Sequence, residues 1–511
     1  MSDLPEKYDT DVTVEKAGTD ASPEKDSVEL ETGRFHRLKV LGEKLGIETN
    51  GIERIAEDAR TDRRLWHNGE VWLAANCVIP TFGIGILGPG LFGLGLGDSL
   101  LTIVFMNLFA TIFASLLSTF GPKLGLRQMV GSRYSWGWYG VKLVAILNSI
   151  ACIGWSAINT IAGGQILTTV ANQSISNAVG IVIIALCTLV IGFAGYKYVH
   201  VYERYSWIPT AIAFFIMLGL TAKEFVNLPM TTGQTEAGDV LSFAGTIWGF
   251  AIGWTSLASD YNVYMPAEAS PVRVAGWAYL GLNIPLILVE MLGAAVMTVT
   301  FANPEWEALY QSQELGGLVW ASLSSVGGFG KFLMVVFMLS VIANNIINIY
   351  SLGLSMQVWG SWFHYIPRSI YAIVGTAIYI PIAIAGANNF AESLSDFMNV
   401  LGYWLAIYNV IYIEEFIIFK RCSYENYRAA ETWNDRKSHT IGFAAFLAGC
   451  CGAAGAVLGM DQVWWIGPLA KPIGTYGGDI GFELSFAFAG IAYPPLRWLE
   501  AKILRNYGYN V

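Results

Sequence analysis

Charge is the scarcest commodity in this chain: 14% of its residues are Asp, Glu, Lys or Arg. Soluble domains carry about 25%, so an ordinary globular protein is excluded. The six cysteines, Cys77, Cys152, Cys187, Cys422, Cys450 and Cys451, form no CxxC, and most sit inside apolar runs. They read as small buried hydrophobes rather than a disulfide framework or a zinc site. The five histidines are dispersed, and neither HExxH nor GxSxG occurs. A membrane-embedded hydrolase or metalloenzyme would need such groups, so no enzyme, cofactor or metal is expected. The net charge of −9 comes largely from an acidic N-terminal stretch and points to no nucleic-acid partner. Residues 1–50 lack any apolar segment, so they are neither a signal peptide nor a membrane span. They read as a disordered cytoplasmic tail.

What the chain has instead is apolar length. Hydrophobic residues make up 54%, and mean hydropathy is +0.48. Apolar runs fall at roughly 71–96, 98–118, 141–168, 178–196, 206–222, 241–262, 274–300, 331–358, 369–387, 394–418, 441–460 and 480–497. A helix needs about 20 residues to cross the hydrocarbon core, and lipid forces each backbone to satisfy itself within the segment. The expectation is an all-α membrane protein of twelve transmembrane helices. Residues 51–70 form an amphipathic lead-in, 71–222 a first set of five helices, 241–418 a second, 441–497 two C-terminal helices and 498–511 a cytoplasmic tail. With the N-terminus inside, twenty Lys and Arg fall on inner segments and only Lys223, Lys331 and Lys471 on outer loops. The positive-inside rule therefore places both termini in the cytoplasm.

Two spans look broken. Span 1 reads NCVIPTFGIGILGPGLFGLGLG, with Pro80, Pro89 and seven glycines between residues 76 and 97. Span 6 reads GFAIGWTSLASDYNVYMP, with Gly249 and Gly253 flanking the expected break. Irregular backbone at membrane depth is tolerated only where it lines a cavity or binds something. Interruptions at matching positions of two five-helix halves point to an inverted-repeat transporter with its substrate at the breaks. Glycine for close helix packing is the plainer explanation of either one alone.

Polar residues cluster on the neighbouring spans. Trp155 and Asn159 of span 3 are four apart and share a face, and Trp254 follows the span 6 break. Asn344 and Asn348 of span 8 share a face, with Asn345 turned away by about 100°. Tryptophan usually packs or anchors, and asparagine usually bonds to another helix. Together they supply flat faces and paired carboxamides, which suit a planar nitrogen heterocycle. Full charges within spans are few. Glu203, Asp260 and Glu290 are candidate proton carriers because buried acids are costly. Glu203 has a rival reading as an ion-pair partner of Arg204 or Lys197, and Asp260 as a helix cap. Glu414 and Glu415 read as inner-boundary partners of Lys420 and Arg421.

These same segments resemble the nucleobase–cation symporter family, specifically its fungal purine–cytosine permease branch. The carrying strings are NCVIPTFGIGILG, GLRQMVGSRYSWGWYG, GWSAINTIAGGQ, GYKYVHVYERYSWIP, GFAIGWTSLASDYNVYMP and ANNIINIYSLGLSMQVWG, and the likeness runs from about residue 50 to residue 500. The resemblance implies a five-plus-five inverted repeat of the LeuT-like kind with two extra C-terminal helices, working by alternating access in the plasma membrane. It implies that Trp155 and Trp254 sandwich a nucleobase, that Asn159 and Asn348 bond its edges with Asn344 close by, and that Thr81 and the backbone of Phe82 and Gly83 complete the site. Cytosine and purines are the expected cargo, and a homo-oligomer is left open. Uracil, allantoin, hydantoin, thiamine or pyridoxine import, and a nutrient sensor without transport, are the rival readings.

One departure bears on the coupling ion. Sodium-coupled members of this family carry adjacent hydroxyl residues just before the first span 8 asparagine, where this chain has Ile342 and Ala343. A hard cation needs oxygen ligands, so the expected coupling ion is the proton. Replacing Na⁺ by choline at constant pH should leave substrate uptake unchanged; abolished uptake would overturn this expectation.

Overall fold

The computed structural model describes residues 51–193, 205–230, 232–364, 366–509 and 511. Helices occupy each of the twelve apolar runs. Among the described residues, seven are long and apolar enough to cross a bilayer by themselves, and a bent pair in span 1 raises this to eight. The described helices of spans 4, 5 and 11 are shorter and apolar. Span 12 is the 25-residue helix Gly481–Arg505, which carries Pro494, Pro495, Arg497 and Glu500.

Span 1 is two half-helices, His67–Asn76 and Ile79–Gly90, meeting at 56°. The break sits at Cys77 and Val78, both non-helical, with Val78 fully extended (φ −140°, ψ 162°). Pro80 is the cause. It cannot donate the N–H that the Asn76 carbonyl would take, yet it is well tolerated in the first turn of a new helix. Pro89 lies inside the second half-helix rather than at a break.

Span 6 departs from expectation. Gln234–Ile252 is continuous through Gly249, passes into a 3₁₀ turn at Gly253–Leu257 and then into turns. Gly249 is present for contact: a Cβ there would lie 1.9 Å from the Met398 carbonyl of span 10. The packing explanation holds for Gly249, and the change of helix type begins at Gly253.

A helix absent from the expected set, Pro304–Leu323, joins span 7 (Pro271–Thr298) to span 8 (Gly328–Gln357). Its start is well signalled. Asn303 accepts from the backbone N–H of Glu305 (3.0 Å) and Trp306 (3.4 Å), Pro304 stands at the first position, and Glu305 and Glu307 face the positive helix end. It packs on the C-terminal end of span 3 (Arg133–Val170), where Gly316 abuts the Gln165 carbonyl.

The C-terminal pair is fastened by charge. Glu415, fully buried, takes a two-pronged bond from Arg497 (3.0 and 3.1 Å) and one from Tyr493 (3.0 Å). Its main partner is thus on span 12, with Lys420 further off at 3.9 Å. Glu500 accepts from the backbone N–H groups of Gly442, Phe443 and Ala444, the open N-terminus of span 11. At the other face Asp479 accepts from Tyr403, Gln462 and two backbone N–H groups, closing the loop between spans 11 and 12.

The lead-in straps one end of the bundle. Arg60 is buried and donates to the carbonyls of Ile55 (3.0 Å) and Pro122 (2.8 Å). Asp62 N–H reaches the Tyr264 carbonyl. Glu53 pairs with His364 at 3.2 Å, and that bond holds its carboxyl down at about 2.

Span 7 carries span 1. A Cβ at Gly85 would lie 1.8 Å from the Glu290 carbonyl, and one at Gly293 would lie 2.1 Å from the Phe82 carbonyl. The two backbones touch with no room for a side chain. Gly85→Val should therefore sharply reduce folded protein at the cell surface, whereas the same change at Gly219, with no atom in range, should be tolerated. Equal surface levels by fluorescence of tagged protein would refute this.

Candidate functional site

The centre of the bundle holds two tryptophans face to face. Trp155 and Trp254 have ring centroids 6.5 Å apart and planes within 16° of parallel. Neighbours fix both rings from the side. Phe250 and Phe397 meet Trp155 edge-on, at 5.2 and 5.6 Å. Trp72 meets Trp254 edge-on at 5.5 Å. The indole N–H of Trp254 donates to Asn76 Oδ1 (2.9 Å), on the last residue of the first half-helix. Two carbon contacts of about 3.5 Å each would separate the planes of a filled sandwich by about 7 Å. The gap is therefore close to, and slightly under, that of one flat ring.

A small cavity lies at this gap, about 10 Å³, room for roughly one water. Asn148, Cys152, Trp155, Trp254, Leu257 and Asn348 contribute to its lining, and no lining side chain is charged. The wall is aromatic and carboxamide, so it suits a neutral, flat, hydrogen-bonding ligand.

The expected edge-readers divide into two groups. Asn348 lines the cavity; its Nδ2 rests 3.3 Å from the Asn344 carbonyl oxygen and 3.4 Å from Asn344 Oδ1. Asn344 is occupied elsewhere: Nδ2 donates to the Ala75 carbonyl (2.5 Å) and Oδ1 accepts from Asn159 Nδ2 (2.8 Å). It is a hub joining spans 1, 3 and 8. Asn159 stands beside this hub with its Oδ1 buried and unpartnered, and does not line the cavity.

Thr81, Phe82 and Gly83 lie in the first turn of the second half-helix, beyond the break, and also stand apart from the cavity. Phe82 stacks on Phe214 (6.3 Å), and Gly83 faces Phe390. Thr81 Oγ1 is buried without a partner.

The acids differ too. Asp260 accepts from the Gln128 backbone N–H (2.8 Å) and Ser351 Oγ (3.3 Å), and its own carbonyl takes Arg127. Gln128 opens the short helix Gln128–Gly131, so Asp260 caps that helix. Glu290 of span 7 is fully buried; Oε2 accepts from Asn107 Nδ2 (2.6 Å), and Oε1 has no partner. Glu203 falls outside the described residues.

Against this geometry, the family described as permeases for cytosine/purines, uracil, thiamine and allantoin matches residues 55–481. The chain belongs to this permease family. It is 45% identical over 471 residues to the purine-cytosine permease fcyB of Emericella nidulans, covering 92% of each chain. It is 33% identical over 516 residues to the vitamin B6 transporter TPN1 of Saccharomyces cerevisiae, covering 91% of this chain and 89% of that one. Among solved structures it is similar to Mhp1, a nucleobase-cation-symport-1 family transporter in a closed conformation with bromovinylhydantoin bound. The TM-score there is 0.66 at 17% identity, over 90% of this chain and 96% of Mhp1. That likeness shows the fold, a LeuT-like helical bundle. The chain is a membrane permease of the nucleobase-transporting family, not an enzyme.

Three residues around the tryptophan pair were not singled out in the sequence: Trp72, Asn76 and Asn148. The first two lie within the span 1 run but before Pro80 and the glycines that mark the expected break. Asn148 carried a legible signal, because it lies seven residues before Trp155 on the same helix face. Each base–aromatic face is worth about 1–3 kcal/mol by alanine substitution. Trp155→Ala should therefore weaken substrate binding by about fivefold or more while the protein still reaches the surface. Unchanged affinity in a surface-localised variant would refute the sandwich.

Proposed function

We propose that this permease imports cytosine and purine nucleobases across the plasma membrane by alternating access, coupled to protons, with twelve crossings and both termini in the cytoplasm. The observation that carries this reading is the parallel Trp155–Trp254 pair over an uncharged, carboxamide-bearing cavity. Two π faces at this spacing select flatness, and carboxamides select rings with mixed donor and acceptor edges. Asn348, at the cavity, and Asn159, one helix turn beyond Trp155, are the proposed edge-readers. Asn344 holds both in register, and Thr81 to Gly83 are proposed to join when the span 1 break moves. The printed names of the fungal relatives support nucleobase cargo. The vitamin B6 relative supports keeping pyridoxine as a second heterocycle to be tested.

Proton coupling is supported from two sides. Ile342 and Ala343 offer no side-chain oxygen where sodium-coupled members carry hydroxyls. Glu290, whose own backbone packs on the second half of the broken helix at Gly85, offers a buried carboxyl beside Asn107 with one oxygen unpartnered. A buried carboxyl that receives a single hydrogen bond is costly to keep in a span, which makes it a candidate for a functional role. Asp260 is bonded through both carboxylate oxygens and suits a structural role better.

Competition against uptake of labelled cytosine tests the cargo. Adenine and hypoxanthine should compete at concentrations similar to cytosine, and allantoin, uracil and pyridoxine only at far higher ones. Equal or better competition by one of the latter three would displace the reading. Uptake should also rise as external pH falls, and Glu290→Gln should flatten that dependence. An unaltered pH profile in an active Glu290→Gln variant would remove Glu290 from the proton path.

A further inference from the structure

Span 3 shows more to the cavity than Trp155. Positions 148, 152, 155 and 159 are spaced by four, three and four residues and so fall on one helix face. Long side chains on a helix lean toward its N-terminus, so the Trp155 ring covers the turn that holds Cys152 and Asn148. The lining agrees: Asn148 and Cys152 border the cavity, and Asn159, on the other side of Trp155, does not.

Asn148 is 1% exposed. Its Nδ2 donates to Ser355 Oγ of span 8 at 2.8 Å. Its Oδ1 is buried and has no partner. A buried carboxamide oxygen without a donor is costly, and its residue borders the cavity beside the tryptophan pair. Asn348 borders it from span 8, so two carboxamides on different helices flank the gap.

We infer that Asn148 is a base-reading residue of this permease: its Oδ1 accepts a hydrogen bond from an N–H of the sandwiched heterocycle, either an exocyclic amine or a protonated ring nitrogen. The inference rests on the nucleobase reading above and adds a contact that neither the motif strings nor the tryptophan pair supply. Ser355 is the positioning residue, since it holds the amide plane so that Oδ1 is the end left over. A ligand that offers only acceptors along that edge leaves Oδ1 unsatisfied and is disfavoured. Selection by a missing donor is stronger than selection by shape.

The test is a cycle between protein and ligand. Inhibition constants are measured for cytosine, 1-methylcytosine, adenine, 9-methyladenine and purine, which lacks the adenine amine, against the unsubstituted permease and Asn148→Ala. The parent base should lose about tenfold on Asn148→Ala. The analogue lacking the paired N–H should already be about tenfold weaker on the unsubstituted protein and lose nothing further on the variant. A uniform loss for all five ligands would mean that Asn148 acts only through the packing of spans 3 and 8, and would overturn the inference, as would no change for any. If Asn148→Ala does not reach the surface, Asn148→Ser carries the same test, because its short side chain cannot span to the base. Trp155→Ala separates the two levels. If it leaves binding intact, the sandwich itself fails; if it removes binding while Asn148→Ala shows no ligand dependence, only the Asn148 assignment falls.

Discussion

One unsatisfied carbonyl organises the centre of this protein. Where span 1 breaks at Cys77 and Val78, the Ala75 carbonyl loses the N–H that a continuous helix would bring to it. In lipid that loss costs several kcal/mol unless another group replaces it. Asn344 of span 8 does so, and its other end receives Asn159 of span 3. The next residue, Asn76, uses its side chain to hold the Trp254 indole. A broken helix, two intact ones and an aromatic wall are thus connected by three carboxamides. The site is a by-product of satisfying the break.

This ordering explains why several asparagines that read alike in the sequence do different work. Asn344 is spent on structure, Asn348 reaches the cavity, and Asn159 keeps one oxygen free beside the hub. A carboxamide has two donors and an oxygen acceptor, so how many remain for a ligand depends on how many the scaffold consumes. Residue type and spacing gave the set of candidates; only the partners assign the shares.

The same limit marks what could be read in advance. Apolar length located every span, because the bilayer imposes it. The Trp155–Asn159 spacing exposed one face of the site, because helical period is fixed. Pro80 and the glycines mark the break a few residues late, since the residue losing its partner lies upstream of them. Gly249 looked like a hinge and is a contact with the Met398 backbone, a distinction that requires the neighbour. The helix Pro304–Leu323 had a full set of start signals, but it is too polar to register in a search for membrane-length runs. Glu415 seemed destined for Lys420 and found Arg497, about eighty positions along, because fold rather than sequence proximity pairs buried charge.

Span 7 touches both halves of span 1, at Gly69 through Gly281 and at Gly85 through Gly293. A bent rod clamped to one straight rod on each side of the bend is a triangulated frame. Its angle can change only if the straight member bows or a clamp lets go. Any rearrangement that keeps both clamps therefore moves this braced unit as a whole. Asn344 fastens that frame to span 8 at the Ala75 carbonyl, one residue before the side chain that holds the Trp254 indole.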